Sequence, residues 1–382
     1  MNRIYLDSAA TTPMRDEAIA ALVPLLGAGG YNPSSLHAEG RAARAALDAA
    51  RETVARSLGA RPREIVFTGG GSESINLALL GAARALTNRG RHLVTSVTEH
   101  HAVLHAVDVL ADEGWDVTRL PVDPAGRVSP AAFAAALRPD TVLASIMLAN
   151  NEIGTIAPIA ELAALARGRG VLFHTDAVQA PAVLALDVAA LGVDLLSLSG
   201  HKFHGPKGVG VLYVRSGTRV TPLIVGGGQE FGLRSGTENV AGIAGFAAAF
   251  ACAQREREAN AARVGALRDR LETGIAAATP GAVVNARGAA RLAGISSIAF
   301  EGVPADALLV RLDLEGISAS AGSACAAGSL EPSHVVAAIG LPVSHASGVI
   351  RFSLGRATTT AEIEHVVRVV PEVVAQVRGV PA

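Results

Sequence analysis

Cysteine is scarce in this chain: two among 382 residues, Cys252 and Cys325. No CxxC pair exists, so neither a disulfide framework nor a cysteine-built zinc site fits, and a cytoplasmic setting suits the composition better than an oxidising one. Aromatic residues make up only 3%, with a single Trp, so packing must rely on Ala, Leu and Val. Charge of one sign is also missing. Lys and Arg total 33 against 34 Asp and Glu, with no basic run and no basic strand interleaved with aromatics, which argues against a nucleic-acid surface. Long apolar runs are absent too. The longest uncharged one, "VAGIAGFAAAFACAQ" from Val240, is too short and too rich in small residues to span a bilayer and reads as a buried helix. The opening "MNRIYLDSAATTP" has no apolar core of the kind a signal peptide carries.

What the chain does have is a rhythm. Short apolar runs at 64–68, 92–96, 142–148, 171–177, 195–200 and 208–214 read as buried strands. Helical stretches such as "ESINLALLGAARAL" and "AELAALARGRG" lie between them. This alternation predicts an α/β fold with a large, mostly parallel sheet covered by helices on both faces. A chain of this length exceeds one compact core. The expected division is a large domain over 15–255 and a smaller α+β domain formed by 1–14 and 256–382. A long helix over 238–278 carries a charged, solvated run, "REREANAARVGALRDRLE".

Four stretches can carry chemistry. In "FTGGGSESINLALL" a strand runs into three glycines, and a helix opens at Ser72. Free N–H groups at a helix start favour an anion such as phosphate, although Ser72 reads equally well as a plain N-cap. The pattern is neither a Walker loop nor a dinucleotide fingerprint. In "FHTDAVQA" Asp176 ends an apolar strand with Gln179 close behind, where ligands bind in open α/β sheets; a helix N-cap is the simpler alternative. In "LSLSGHKFHGPKG" a strand ends in Ser199, His201 and Lys202. A lysine desolvated there becomes a nucleophilic amine for Schiff-base chemistry, whereas a lone loop lysine is usually just a surface charge. In "VTEHHAVL" His100 can stack on a planar group and move protons, or be merely structural. The histidines lack metal-site spacing, and no metal is expected. Together, the Asp, the Lys and the Gly-rich helix start match a planar cofactor with a basic ring nitrogen, an aldehyde and a phosphate: pyridoxal phosphate.

Cys325 stands apart, in "SASAGSACAAGSLEPSH", among Ala, Gly and Ser. A structural cysteine usually hides among larger apolar side chains, as Cys252 should in its Ala-rich helix. Small residues around Cys325 suggest a mobile or closely approached loop instead, with "LEPSH" restarting a helix.

These stretches, with "YLDSAATTP", "NPSSLHAEG", "ANNEIGT", "GGGQEFGLRSGTENV" and "IRFSLG", resemble nearly end to end the group I cysteine desulfurases. These are the nitrogen-fixation and housekeeping iron–sulfur types within the class V, fold type I pyridoxal-phosphate aminotransferase superfamily. The resemblance implies conversion of L-cysteine to L-alanine through a ketimine on the cofactor and a persulfide on Cys325. Lys202 would form the Schiff-base link and later move the α-proton. Asp176 would pair with the ring nitrogen, Gln179 with the ring hydroxyl, and His100 would stack over the ring as an acid/base. Gly71, Ser72, Ser199 and His201 would hold the phosphate, and Thr237 would reach it from the other subunit of a homodimer. Asn151 and Arg351 would meet the substrate carboxylate. The sulfur would pass to an acceptor protein for iron–sulfur cluster assembly or for tRNA or cofactor thiolation.

The chain departs from the pattern at four places. Ser72 stands where the family usually has Thr, Gly69 where it has Ser, and Ala326–Ala327 where Thr-Ser is common. The chain also stops soon after its last helix, which puts docking of a cluster scaffold in question. A selenocysteine lyase is the near alternative. A catalytically silent relative is the distant one, disfavoured by the joint presence of Lys202, Asp176, His100, Arg351 and Cys325.

Overall fold

The computed structural model describes residues 3–27, 30–322 and 332–379. The chain enters through β1 (Ile4–Tyr5), α1 (Asp16–Leu22) and α2 (Ala38–Leu58). The large sheet follows: β2 (Ile65–Thr68), β3 (His92–Ser96), β4 (Asp116–Leu120), β5 (Thr141–Ser145), β6 (Leu172–Asp176), β7 (Leu195–Ser199) and β8 (Gly210–Val214). Its order is β2-β8-β7-β6-β5-β3-β4, parallel except for β8, which runs against both neighbours. Crossovers run through α3 (Gly71–Ala85), α4 (His101–Asp112), α5 (Pro130–Ala136), α6 (Ile159–Arg167) and α7 (Val188–Leu191). Strands such as β5 and β7 are buried at every residue, as expected for parallel strands covered on both faces. This is the expected α/β architecture.

The apolar runs mark the strands to within a few residues. In the large sheet the exception is β4, which sequence reading passes over. Its residues Asp-Val-Thr-Arg-Leu lie at the edge of the sheet, and four of the five are not buried.

Helix α8 (Val240–Ala278) links two cores. Its first half contributes Ile243, Phe246, Ala247, Phe250 and Ala253 to the core of the large sheet. Its second half contributes Val264, Leu267, Leu271 and Ile275 to a separate core. The charged stretch "REREANAA" falls at the hand-over. The second core lies against β9 (Ala282–Val284), β10 (Ile295–Phe300) and β12 (Val349–Ser353), an antiparallel sheet in the order β12-β10-β9. Helix α9 (Ala305–Leu314) leads to β11 (Ile317–Ser318), which pairs with β1 in parallel. Short α10 (His334–Ala338) and α11 (Val343–Ala346) follow, and α12 (Thr360–Val377) closes the chain.

The few aromatic residues are concentrated. Phe203, next to Lys202 in sequence, is fully buried and meets Phe246 edge-on at 5.1 Å, and Phe246 meets Phe67 at 6.5 Å. Such pairs add to burial energy. Here they fix the turn that follows β7. Cys252 is buried as expected, with Arg255 Nη2 at 3.1 Å from its Sγ.

Candidate active site

The strand ends open into one cleft of about 290 Å³, lined by Gly71, Ser72, His100, Asn151, Asp176, Gln179, Ser199, His201, Lys202 and Arg351. Ten of the expected site residues therefore meet. Asp176 and Ser199 are the last residues of β6 and β7, and Lys202 sits on the 3-10 turn that follows.

Lys202 donates from Nζ to the carbonyls of Ala9 and Ala10, at 2.7 and 2.9 Å. The segment around them is clamped over the lysine turn, because Thr12 bonds the His201 carbonyl through both N–H and hydroxyl. The Asp176 carboxyl is pushed up to about 6, chiefly by burial, against the pull of the Val178 N–H at 2.9 Å and of Lys202. No helix follows Asp176 directly, so it closes a turn rather than capping a helix. His100 caps α4, its Nδ1 accepting from the Ala102 N–H at 3.1 Å. Burial, then Lys202 and neighbouring histidines, lower its pKa to about 4. The ring is thus neutral, with its proton on Nε2. His201 is lowered to about 4, by burial and then by Lys202 and Lys207.

The N-cap reading of Ser72 is not what the structure shows. Gly70, at φ 153°, is the N-cap of α3, and Ser72 is the exposed second residue of the helix. The space at Gly71 is tight, since a Cβ there would stand 3.1 Å from Val178 Cγ2 and 3.2 Å from Ser199 Cβ, and these neighbours would have to give way. The helix therefore presents the N–H groups it leaves unpaired to a close cradle between Gly71 and Ser199.

Arg351 reaches the cleft from β12, in the second core. It is 2% exposed, donates to Asp7 Oδ1 and to the Asn151 carbonyl, each at 2.9 Å, and has a buried Nε with no partner among the described residues. A planar donor left unpaired at a cleft wall is poised for a carboxylate.

Of the remaining expected residues, one is described and is not brought to the cleft. Thr237 is exposed and does not line the cleft of its own chain. Cys325, with Ala326 and Ala327, lies outside the described residues. Sequence reading also misses residues that the fold brings in. Glu152, His101 and His334 line the cleft, and Asp7 holds Arg351. His101 packs on His334 at 4.8 Å and on His105 at 5.2 Å. Glu99 is fully buried, with Oε1 accepting from the Met147 N–H at 2.8 Å, and burial pushes its carboxyl well up. The doublet His100–His101 is the one local signal that could have pointed to the histidine group.

These residues fit pyridoxal phosphate. A glycine cradle at a helix N-terminus suits a phosphate, a buried carboxyl suits a basic ring nitrogen, and an amine at a strand end suits an aldehyde. The unpaired Arg351 Nε fits the carboxylate of an amino-acid substrate.

Comparison with known proteins places this site in a family. The aminotransferase class-V family model matches residues 4–366. The chain is 46% identical to a cysteine desulfurase IscS of Dictyoglomus turgidum, covering 99% of this chain and 96% of that one. It is 48% identical to the cysteine desulfurase NifS of Azotobacter vinelandii, covering 100% and 94%. A solved NifS-like protein superposes with a TM-score of 0.92 at 36% identity, over 98% of this chain and 100% of that one. The chain belongs to the cysteine desulfurases of the class-V aminotransferase family.

Proposed function

We propose that the protein takes sulfur from L-cysteine, releases L-alanine and passes the sulfur, through Cys325, to an acceptor protein. The observation that carries this reading is the meeting of Lys202, Asp176, His100 and Arg351 in one cleft. Gly71, Ser72, Ser199 and His201 would hold the phosphate of pyridoxal phosphate, Asp176 its ring nitrogen and Gln179 its ring hydroxyl. When bound, the cofactor supplies an electron sink that weakens the Cα–H and Cβ–Sγ bonds of the substrate. Arg351 and Asn151 hold the substrate carboxylate and so orient those bonds. Lys202 takes the α-proton. His100, neutral near pH 7, would stack on the cofactor and can carry a proton on Nε2.

The Cys325 thiolate attacks the substrate sulfur. The Cβ–Sγ bond breaks as the S–S bond forms, and its electron pair ends on Cβ, which gains a proton. One cysteine and one thiol thus give one alanine and one persulfide, with no outside oxidant.

The reading includes a cytoplasmic homodimer in which Thr237 of the partner subunit completes the phosphate site. Among the described residues, no helix is long and apolar enough to cross a membrane. It also includes a large domain over 15–255 and a small one from 1–14 and 256–382. The hand-over between cores within α8 supports that boundary.

The test is Cys325→Ala. Purified with cofactor, it should keep the wild-type absorbance response to L-cysteine yet release no sulfide in the presence of a reducing thiol. Sulfide release at the wild-type rate would overturn the role of Cys325.

A further inference from the structure

Glu152 lines the cleft, is 3% exposed and has no part in the chemistry above. Its mounting is firm. The Glu152 and Ile153 N–H groups donate to Asn150 Oδ1 at 2.8 and 3.0 Å, and Asn150 Nδ2 donates to the Thr98 carbonyl at 2.9 Å. Its carboxyl faces the other side of the cleft. Oε2 accepts from the Ser333 hydroxyl at 2.6 Å, and Ser333 in turn caps α10 by accepting from the Val335 N–H at 3.1 Å. The same Oε2 lies 2.6 Å from where a Cβ on Gly322 would stand. Gly322 has φ +95°, so only glycine suits that position in both backbone and space. The one oxygen atom therefore accepts from Ser333 and fills the space beside Gly322, and these two residues lie on either side of Cys325 in the sequence. Each comes from the chain beyond α8, while Glu152 is carried by the loop after β5.

We propose that Glu152 is a positioning residue for sulfur transfer: its carboxyl holds Ser333 by a hydrogen bond at the edge of the cleft, beside Gly322, and so places the two residues that flank the Cys325 stretch in the sequence. This rests on the reading of Cys325 as the sulfur-accepting thiol. Misplacement of a reacting group by about 1 Å can cost about 10²-fold in rate, so the placement of the flanking residues bears on the transfer step. What the role requires of residue 152 is an acceptor oxygen for Ser333. Burial raises the Glu152 carboxyl above its ordinary range, with Ser333, Arg351 and His101 opposing.

The experiment compares cofactor-loaded wild type with Glu152→Ala, Glu152→Gln, Ser333→Ala and the Glu152→Ala/Ser333→Ala pair. Two steps are read separately. Substrate engagement is the absorbance change on adding L-cysteine. Sulfur transfer is the single-turnover gain of one sulfur on Cys325, followed by intact mass. Glu152→Ala should slow transfer by about 10²-fold while leaving engagement at the wild-type level. Ser333→Ala should slow transfer in the same direction, and the double variant should be no slower than the worse single one. Glu152→Gln keeps an acceptor oxygen and should transfer within about threefold of wild type, on the scale of a retained neutral hydrogen bond.

Wild-type transfer by Glu152→Ala would overturn the proposal. So would loss of engagement together with transfer, or a Glu152→Gln protein as slow as Glu152→Ala, which would mark a proton-transfer group. Multiplicative slowing in the double variant would count against the shared contact. If Glu152→Ala fails to fold, Ser333→Ala carries the same test, since it removes one hydroxyl from a half-buried site. Failure of the Cys325 reading looks different: Cys325→Ala would then still release sulfide, whatever Glu152 does.

Discussion

The two walls of the cleft are built in opposite ways. One is the rim of the large sheet, where Asp176, Ser199 and Lys202 follow directly from adjacent strands β6 and β7. The other is assembled from Asp7, Asn151, Glu152 and Arg351, with the Arg351–Asp7 ion pair spanning 344 positions of sequence. The strand-end wall is set by backbone hydrogen bonds and a phenylalanine cluster, so single side chains there can change without moving their neighbours. The second wall depends on the Arg351–Asp7 ion pair, and cutting it leaves an unpaired charge behind. The first should thus lose chemistry one function at a time, and the second should lose geometry.

Lys202→Ala tests the first wall most severely. It should lower turnover about 10³-fold or more. Borohydride treatment followed by intact mass should then find no cofactor fixed to the protein. Retention of a reducible link would transfer the role to another lysine, Lys207 being the next one along the turn. Folding should be unaffected, because Phe203 and the cluster beneath it stay in place.

Asp176→Asn should separate stability from function at the same strand end. The Asp176 carboxyl stands near 6 in the folded chain against 3.8 for the free group, so the folded state holds this proton more tightly than the unfolded one. That contribution is complete below 3.8 and vanishes as pH rises through 6. Cofactor-free wild type should therefore weaken across that window. The Asn variant should not, and above neutrality it should be more stable by up to about 3 kcal/mol. Cofactor affinity should fall in the same variant, because the charge meant for the ring nitrogen is gone. Thermal melts of cofactor-free protein across pH, beside cofactor titrations, check both halves.

Arg351→Gln breaks the second wall. Loss of a charge-assisted bond to the substrate carboxylate should raise KM for L-cysteine by roughly 10- to 10²-fold. With cysteamine, which lacks that carboxylate, wild type and variant should respond alike at the first absorbance change. Asp7→Asn should raise KM in the same direction by less, since the guanidinium stays but loses its anchor. An unchanged KM in Arg351→Gln would show that the carboxylate is held elsewhere.

The same contrast explains what could be read from sequence. The strand-end wall is legible because its reactive residues stand immediately after apolar runs, and a parallel sheet gathers such positions at one edge. Strand β4 escapes notice because an edge strand with polar residues has no continuous apolar run. The N-cap of α3 is misplaced by two residues, since Gly70 takes a conformation that no side-chain pattern announces. On the second wall, Arg351 and Asn151 enter through family resemblance alone, and Asp7, Glu152 and His334 do not enter at all. Their partners are distant in sequence, so no local periodicity or spacing encodes the contact. The expectation for Cys325 rests on composition and resemblance.

The smallest expected effect lies back at the sheet rim. Ser72→Thr restores the residue common among relatives at the second position of α3. Ser72 is exposed within its own chain, so the added methyl meets no packed neighbour there. The hydroxyl that would reach the phosphate is kept. The cost is the slight stiffness of a β-branched side chain in a first helical turn, a few tenths of a kcal/mol. Cofactor affinity of the apo-protein, followed by fluorescence, should stay within about threefold of wild type. Gly71→Ala is the control one residue earlier: its Cβ would press on Val178 and Ser199, and affinity should drop clearly. If Ser72→Thr instead weakened binding as much as Gly71→Ala, the space around residue 72 would have to be closed by something outside this chain's own contacts, as a second subunit reaching the same phosphate would do.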